Sequence, residues 1–101
     1  MPMDQVDSSR ELTLPAPHPS VVCKPVSEGA VLLHTESEVY YSLNEVGRQI
    51  WDLLPPACRD TAELAAELQR KYPEVELADL RKDIAELLQS LSDEGLVVRA
   101  G

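Results

Sequence analysis

The feature that most constrains the fold is an abrupt change from strand to helix within residues 40–54. Val39, Tyr40 and Tyr41 are β-branched or aromatic, types that favour a strand, and Asn44 then offers a side-chain oxygen suited to cap a helix. The helix that follows is predicted from apolar residues at i, i+4, i+7 and i+8, namely Val46, Ile50, Leu53 and Leu54. Two prolines at positions 55 and 56 end it, because proline lacks an N–H and clashes with the preceding turn. So short a connection fixes the angle between a sheet and a helix.

Length and composition predict one folded domain. The chain has 101 residues, of which 44% are hydrophobic and 27% charged, values typical of a soluble globular protein. No apolar run is long enough for a membrane span, and the N-terminus lacks a secretory signal pattern. Two cysteines, Cys23 and Cys58, without metal-ligand spacing favour reduced thiols and a cytoplasmic location.

The charge is strongly acidic, at −9, and acidic residues are spread over both halves of the chain. Because proteins contact nucleic-acid phosphates through lysine and arginine, nucleic acid is an unsuitable partner. A moderately basic or apolar peptide suits this charge better.

Taken in order, the chain predicts a flexible arm over residues 1–20 and a domain over residues 21–99. The arm is polar and rich in proline. Three short strands then follow in the domain, over residues 21–26, 30–35 and 38–42. Pro25 in the first of these predicts an edge position or a strand end. Strands joined by such short turns form an antiparallel meander.

Two further helices are predicted after the first. Asp60 with Glu63 resembles a capping box, and the second helix ends before Pro73. The third helix runs from about residue 77 to 94, with Gly95 as its C-terminal cap. Residues 96–98 form a last short strand or cover the core. The predicted fold class is α+β, winged helix-turn-helix-like, with a three-stranded antiparallel sheet followed by three helices.

The residues do not predict catalysis. His18 and His34 are distant in sequence and belong to no ligand-spaced cluster, and nucleotide-binding and nucleophile motifs are absent. The acids of the third helix are those of a solvated helix face. We therefore expect no enzyme activity, no cofactor and no metal.

A binding role is predicted instead from the sheet edge. If residues 39–42 form an edge strand, its unpaired N–H and C=O groups can accept a guest peptide as an added strand. The third helix would form the wall beside it. Arg81 and Ala85 flank the apolar stripe of that helix on one side, and Asp83 and Leu87 flank it on the other.

Three motifs in order resemble the PqqD-like family, small domains that bind the leader segment of ribosomally made peptides. The first motif is Y-x-L-N-x-x-G-x-x-I-W-x-L-L, starting at Tyr41. The second is T-x-E-L-x-x-x-L, starting at Thr61, and the third is D-I-x-x-L-L-x-x-L-x-x-x-G-L, starting at Asp83. The resemblance covers residues 22–98.

This resemblance implies a recognition element whose leader peptide docks antiparallel to the third strand, beside the third helix. The residues that match those elements are Val39, Tyr40, Tyr41, Arg81, Ile84, Ala85 and Leu88. Gly47, Ile50 and Trp51 belong to the same motif and are interpreted as framework. The implied partners are a precursor peptide and a modifying enzyme, with lasso-peptide biosynthesis and its cysteine leader peptidase favoured.

Alternatives stay open at this point. The protein could serve a radical SAM enzyme in pyrroloquinoline quinone biosynthesis, as a family member does. A winged-helix domain could instead contact DNA, although the acids on the third helix oppose entry into the major groove. A structural scaffold without a ligand is the third alternative. An open strand edge also allows self-pairing, so the expected state is a monomer or weak dimer.

Overall fold

The computed structural model describes residues 13–99, which form five strands and three helices. In chain order these are β1 (Ala16–Pro17), β2 (Val21–Val26), β3 (Gly29–His34), β4 (Tyr40–Asn44), α1 (Glu45–Asp52), α2 (Thr61–Lys71), α3 (Leu77–Asp93) and β5 (Val97–Val98). The predicted three-stranded antiparallel sheet followed by three helices is confirmed.

The main sheet has the order β2-β3-β4, so β3 is central and the other two strands are edges. Its register pairs Val21 with His34 and Leu33 with Tyr40. Side chains alternate between the two faces. Ala30 and Leu32 of β3 are fully buried against the helices, whereas Tyr40 on the opposite face is 66% exposed. The sheet therefore covers the helices with one face only.

The strand-to-helix junction forms as the sequence predicts. Asn44 is the N-cap of α1, and its side-chain oxygen accepts the Gly47 N–H at 2.8 Å. A Cβ on Gly47 would lie 3.3 Å from both Asn44 Oδ1 and Leu43 Cδ2, so the absent side chain permits this close approach. The helix ends at Asp52, two residues before the predicted end, because the residues before a proline are disfavoured in helical conformation.

The helices pack their apolar stripes into one core beneath the sheet. Its members are the buried residues Leu14, Ala30, Leu32, Leu43, Ile50, Trp51, Leu54, Cys58, Leu64, Ala65, Leu68, Leu80, Ile84, Leu91, Leu96 and Val97. Asp60 caps α2 by accepting the Glu63 N–H at 2.9 Å, as the capping pattern predicts. Gly95, at φ +74°, lets the chain turn back after α3, and the Leu96 N–H then bonds the Leu91 carbonyl at 2.9 Å.

Part of the predicted arm lies within the described residues. Residues 1–12 of the predicted arm lie outside the described residues, but residues 13–20 pack against the domain. Leu14 is fully buried, and its N–H bonds the Arg59 carbonyl at 3.0 Å. β1 pairs antiparallel with β5 as a separate two-stranded sheet. This pairing also resolves the open alternative for residues 96–98, of which the last two form a strand.

The β3–β4 hairpin turns through a bulge at Glu38, which has φ +62°. The Glu38 N–H bonds the His34 carbonyl at 2.7 Å, and the His34 N–H bonds the Val39 carbonyl at 2.9 Å. Glu38 and Val39 thus both oppose His34, and Glu38 lies in the left-handed region that glycine normally occupies.

Replacing Glu38 with glycine is therefore expected to stabilise the domain. The left-handed conformation disfavours L side chains, and after the entropy of glycine the net gain is about 0.5–1 kcal/mol. Urea unfolding followed by Trp51 fluorescence measures this change. Glu36→Gly is the matched control, because Glu36 carries the same charge in the same turn but has no positive φ. Equal effects of the two substitutions would contradict the prediction.

Candidate functional site

The two edges of the main sheet differ in what they offer another strand. The His34 N–H bonds the Val39 carbonyl, and hydrogen-bonded pairs alternate along an antiparallel ladder. Val39, Tyr41 and Leu43 consequently direct their backbone groups toward β3. Tyr40 and Ser42 direct theirs away from β3, toward the open edge. β4 therefore presents N–H and C=O groups of two residues to an incoming strand.

The β2 edge offers fewer free N–H groups by comparison. The Thr35 N–H bonds the Ser20 carbonyl at 2.9 Å, and the alternation then directs the backbone groups of Val21, Cys23 and Pro25 outward. The Val21 N–H is already bonded to the His18 carbonyl at 3.0 Å. Pro25 has no N–H to donate, a common protection of an edge strand. Only β4 thus has an unobstructed edge in the described part of this sheet.

A groove of about 330 Å³ lies between the β4–α1 junction and α3. One wall is formed by Tyr41, Asn44, Val46, Gly47 and Ile50. The other wall is formed by Asp83, Glu86, Leu87 and Ser90. These α3 residues follow the spacing i, i+3, i+4 and i+7, which places them on one stripe of the helix. A strand added to β4 would direct alternate side chains into this groove.

The predicted site residues on β4 lie in three different environments. Val39 is half-buried within the bulge, and its carbonyl is used by β3. Tyr40 projects from the exposed face of the sheet, away from the helices, while its backbone faces the open edge. The Tyr41 side chain packs against the core and lines the groove. Only Tyr41 among the three offers its side chain to the groove.

The predicted residues on α3 lie outside the groove wall. Ile84 is fully buried in the core. Arg81 and Ala85 are exposed, and half-buried Leu88 packs against the core. Their spacing of i, i+4 and i+7 places Arg81, Ala85 and Leu88 on the helix stripe opposite to the one that lines the groove. A role for these four residues in binding stays a prediction.

Sequence reasoning did not single out the helix stripe that faces the groove. The sequence indicates Asp83 and Leu87 as one margin of the apolar stripe, but it places Glu86 among the acids of a solvated face and does not single out Ser90. The signal that could have found them is the position of α1. Residues of the β4–α1 junction share a groove with this margin of α3, and helical periodicity alone does not specify which margin that is.

The structure brings together two histidines that are distant in sequence. The rings of His18 and His34 have centroids 4.5 Å apart, because Val21 pairs with His34 across the sheet. The Ser20 N–H donates to His18 Nδ1 at 2.9 Å. The N–H groups of Glu36 and Ser37 donate to His34 Nδ1, each at 3.3 Å. The two imidazoles thus stabilise the turns on either side of them.

Together with Glu36 these histidines offer ligand atoms within 4.8 Å of one another, a grouping that could hold a metal ion. In a neutral imidazole whose Nδ1 accepts a hydrogen bond, the proton is on Nε2, which leaves no lone pair there for a metal. Metal binding would therefore require both rings to give up their bonds to the backbone. This geometry favours a structural role for the pair.

Both thiols are held in their protonated form. Burial raises the pKa of Cys58, which is 3% exposed, and the nearby carboxylates of Glu63, Glu67 and Asp60 raise it further. Burial, followed by the Asp52 carboxylate, also raises the pKa of Cys23, against a smaller opposing effect of Arg48.

Alkylation by iodoacetamide at pH 7.5 is therefore expected to be slower at both cysteines than at a free peptide thiol. Cys58 should react most slowly, because it is also the more buried. Below the pKa the thiolate fraction rises about tenfold per pH unit, so labelling should accelerate toward pH 9. Peptide mass spectrometry after timed labelling measures the rates, and urea-unfolded protein is the control. Fast labelling of Cys58 in the folded protein would contradict the prediction.

Comparison with known proteins gives a consistent result. The family model of coenzyme PQQ synthesis protein D (PqqD) matches residues 29–97. No curated protein matches the chain. Among the described residues, no helix has the length and apolar character needed to cross a membrane.

Two solved structures resemble the chain over most of its length. TbiB1 in complex with the TbiA(beta) leader peptide has 27% sequence identity and a TM-score of 0.72, covering 81% of this chain and 93% of that chain. Lasso peptide synthetase B1 complexed with the leader peptide has 32% identity and a TM-score of 0.69, covering 87% of this chain and 98% of that chain.

Proposed function

This chain belongs to the PqqD family, and from that premise we propose that it binds the leader segment of a ribosomally made precursor peptide. The leader adds to the open edge of β4 as a fourth strand, antiparallel to it. Tyr40 and Ser42 form the main-chain hydrogen bonds, and side chains of the leader enter the groove beside α3. The single observation that carries this proposal is the open β4 edge directly beside that groove.

Two further observations support the proposal. Both similar structures are complexes with a leader peptide, and each aligns with more than four-fifths of this chain. Pro25 and the bonded Val21 N–H remove two donors from the opposite edge of the sheet, so strand addition at β4 is favoured over addition at β2. The predicted contacts of Val39, Tyr40 and Tyr41 belong to the proposal, and so do those of Arg81, Ile84, Ala85 and Leu88.

The role we propose is recognition without catalysis, followed by delivery of the leader to a partner enzyme. The raised pKa values of both thiols and the use of both imidazoles in turns support this. Lasso-peptide biosynthesis is favoured, with a leader peptidase as the partner, because one of the similar structures is a lasso peptide synthetase B1. The second candidate is delivery to a radical SAM enzyme in pyrroloquinoline quinone biosynthesis, which the matching family model favours.

Fluorescence polarisation with labelled leader peptides of the two classes, lasso and pyrroloquinoline quinone, tests this function. Saturable binding of one leader and not the other supports recognition and identifies the pathway. A folded protein that binds neither leader would contradict the proposal. Sedimentation velocity at the same concentrations shows whether β4 self-pairs, since a dimer through this edge would dissociate when the leader binds.

Two substitutions on α3 then locate the peptide on one side of the helix. Ser90→Arg places a large side chain in the groove, and Arg81→Glu changes the opposite stripe. Both residues lie outside the fully buried core, so circular dichroism should report an intact fold for each. Loss of binding in Ser90→Arg alone supports the groove, whereas loss in Arg81→Glu alone supports the residues matched by family resemblance.

A further inference from the structure

The residues that line the groove also indicate which side chain of a leader it would accept. Building on the proposed function, we propose that the groove selects a leader with a lysine or arginine side chain directed at Asp83 and Glu86 of α3. The shape of the groove, the two carboxylates of its α3 wall and the lack of ion pairs to them within the described residues support this selection.

The deeper part of the groove is apolar. Ile50 is buried, and Val46 and Leu87 are half-buried residues that pack against the core. Gly47 contributes only backbone, which leaves the space beside α1 open. A long aliphatic stem can lie along this surface and remove it from water.

The α3 side of the groove is acidic. Asp83 and Glu86 are both exposed and lie one turn apart on the stripe that faces α1. Neither takes part in an ion pair within the described residues. The acids that do, Asp52, Glu63 and Glu67, are each paired with an arginine three or four residues away on their own element or next to it. Asp83 and Glu86 are therefore available to a charge on the ligand.

Lysine and arginine side chains suit both the apolar surface of this groove and its acidic wall. Their methylene stems cover apolar surface while the charged end remains at the rim, and hydrogen bonds between a cation and a carboxylate are stronger than neutral ones. An aspartate or glutamate at the same position of the leader would face two like charges and would be rejected. The net charge of −9 further favours encounter with a basic segment.

A double-mutant cycle with the leader that binds in the polarisation titration tests this selection. Each lysine and arginine of that leader is replaced by glutamine, one at a time. Every peptide is titrated against the unmodified protein and against the double variant Asp83→Asn, Glu86→Gln. The double variant Glu74→Gln, Glu76→Gln is the matched control, because it removes two exposed acids that do not line the groove.

We expect the groove variant to bind the leader about 3- to 10-fold more weakly at low salt, with the difference shrinking at 0.5 M salt. One basic residue of the leader should show a coupling of about 2- to 5-fold with the groove acids. The control variant should show no coupling to any single residue.

Three outcomes would overturn the selection. The first is tight binding by a leader without lysine or arginine, and the second is equal affinity of groove and control variants. In both of these cases leader recognition itself would still stand. The third is the absence of any leader binding by the unmodified protein, which would overturn the proposed function together with the selection.

Discussion

Replacing Ser42 with proline is expected to weaken leader binding about 10- to 100-fold while the domain stays folded. Ser42 is exposed on β4, and its N–H points away from β3 toward the open edge. Proline removes that donor and leaves a carbonyl of the guest strand without a partner. This loss costs about 1.5–3 kcal/mol of binding free energy. No hydrogen bond of the β3–β4 ladder is lost, so proline is tolerated at such an edge position.

Two controls separate this effect from an effect on the fold. Ser42→Ala removes the hydroxyl but keeps the N–H, so it should bind the leader as the unmodified protein does. Pro25→Ala restores a donor to the β2 edge and should leave leader affinity unchanged. Affinities come from fluorescence polarisation and folding from thermal unfolding by circular dichroism. Unchanged affinity of a folded Ser42→Pro variant would exclude strand addition at β4.

Local signals in the sequence were sufficient for most elements of the domain. Asn44 and Asp60 predict the starts of α1 and α2 because a side-chain cap is formed within three residues. Runs of apolar, β-branched and aromatic residues with turn residues between them likewise predict β2, β3 and β4. These features depend on neighbours in the chain, and they agree with the structure within about two residues.

Features that depend on distant contacts were not predictable in the same way. The short β1–β5 sheet joins residues about 80 positions apart in the sequence, and nothing in a run of two residues specifies its partner. The pairing of His18 with His34 depends on the register of β2 against β3. Which stripe of α3 lines the groove depends on the side of α3 on which the β4–α1 junction lies. Each of these required the tertiary arrangement.

The edge that we propose accepts a peptide was predictable in part. The sequence predicts an edge at residues 39–42, and Pro25 predicts an edge or a strand end for β2. The register distinguishes the two edges, because it places Pro25, which has no N–H, on the outward side of β2 and directs the N–H groups of Tyr40 and Ser42 toward the open edge of β4. Pro25 thus favours strand addition at the β4 edge over addition at the β2 edge.

Replacing Gly29 with alanine is expected to have the largest effect on stability. It should lower the free energy of unfolding by about 3–5 kcal/mol or more. Gly29 has φ +153°, and a Cβ built there would lie 1.8 Å from the Leu43 carbonyl oxygen. That carbonyl belongs to the backbone of β4, so relief requires β3 and β4 to separate. Because small domains have only about 5–15 kcal/mol of stability, much of this variant should be unfolded at 37 °C.

Gly95→Ala is the control that separates steric clash from backbone conformation. Gly95 also has a positive φ, +74°, but a Cβ there would meet nothing within 4 Å. Gly95→Ala should lower the free energy of unfolding by about 1 kcal/mol, which is the cost of the left-handed backbone conformation alone. Urea unfolding followed by the fluorescence of Trp51, which is 8% exposed in the folded state, measures both variants. If Gly29→Ala and Gly95→Ala lost similar amounts of stability, β4 would be free to move away from residue 29. A much larger loss of stability for Gly29→Ala would instead show that this close approach holds β4, and with it the edge proposed to accept the leader, against the centre of the sheet.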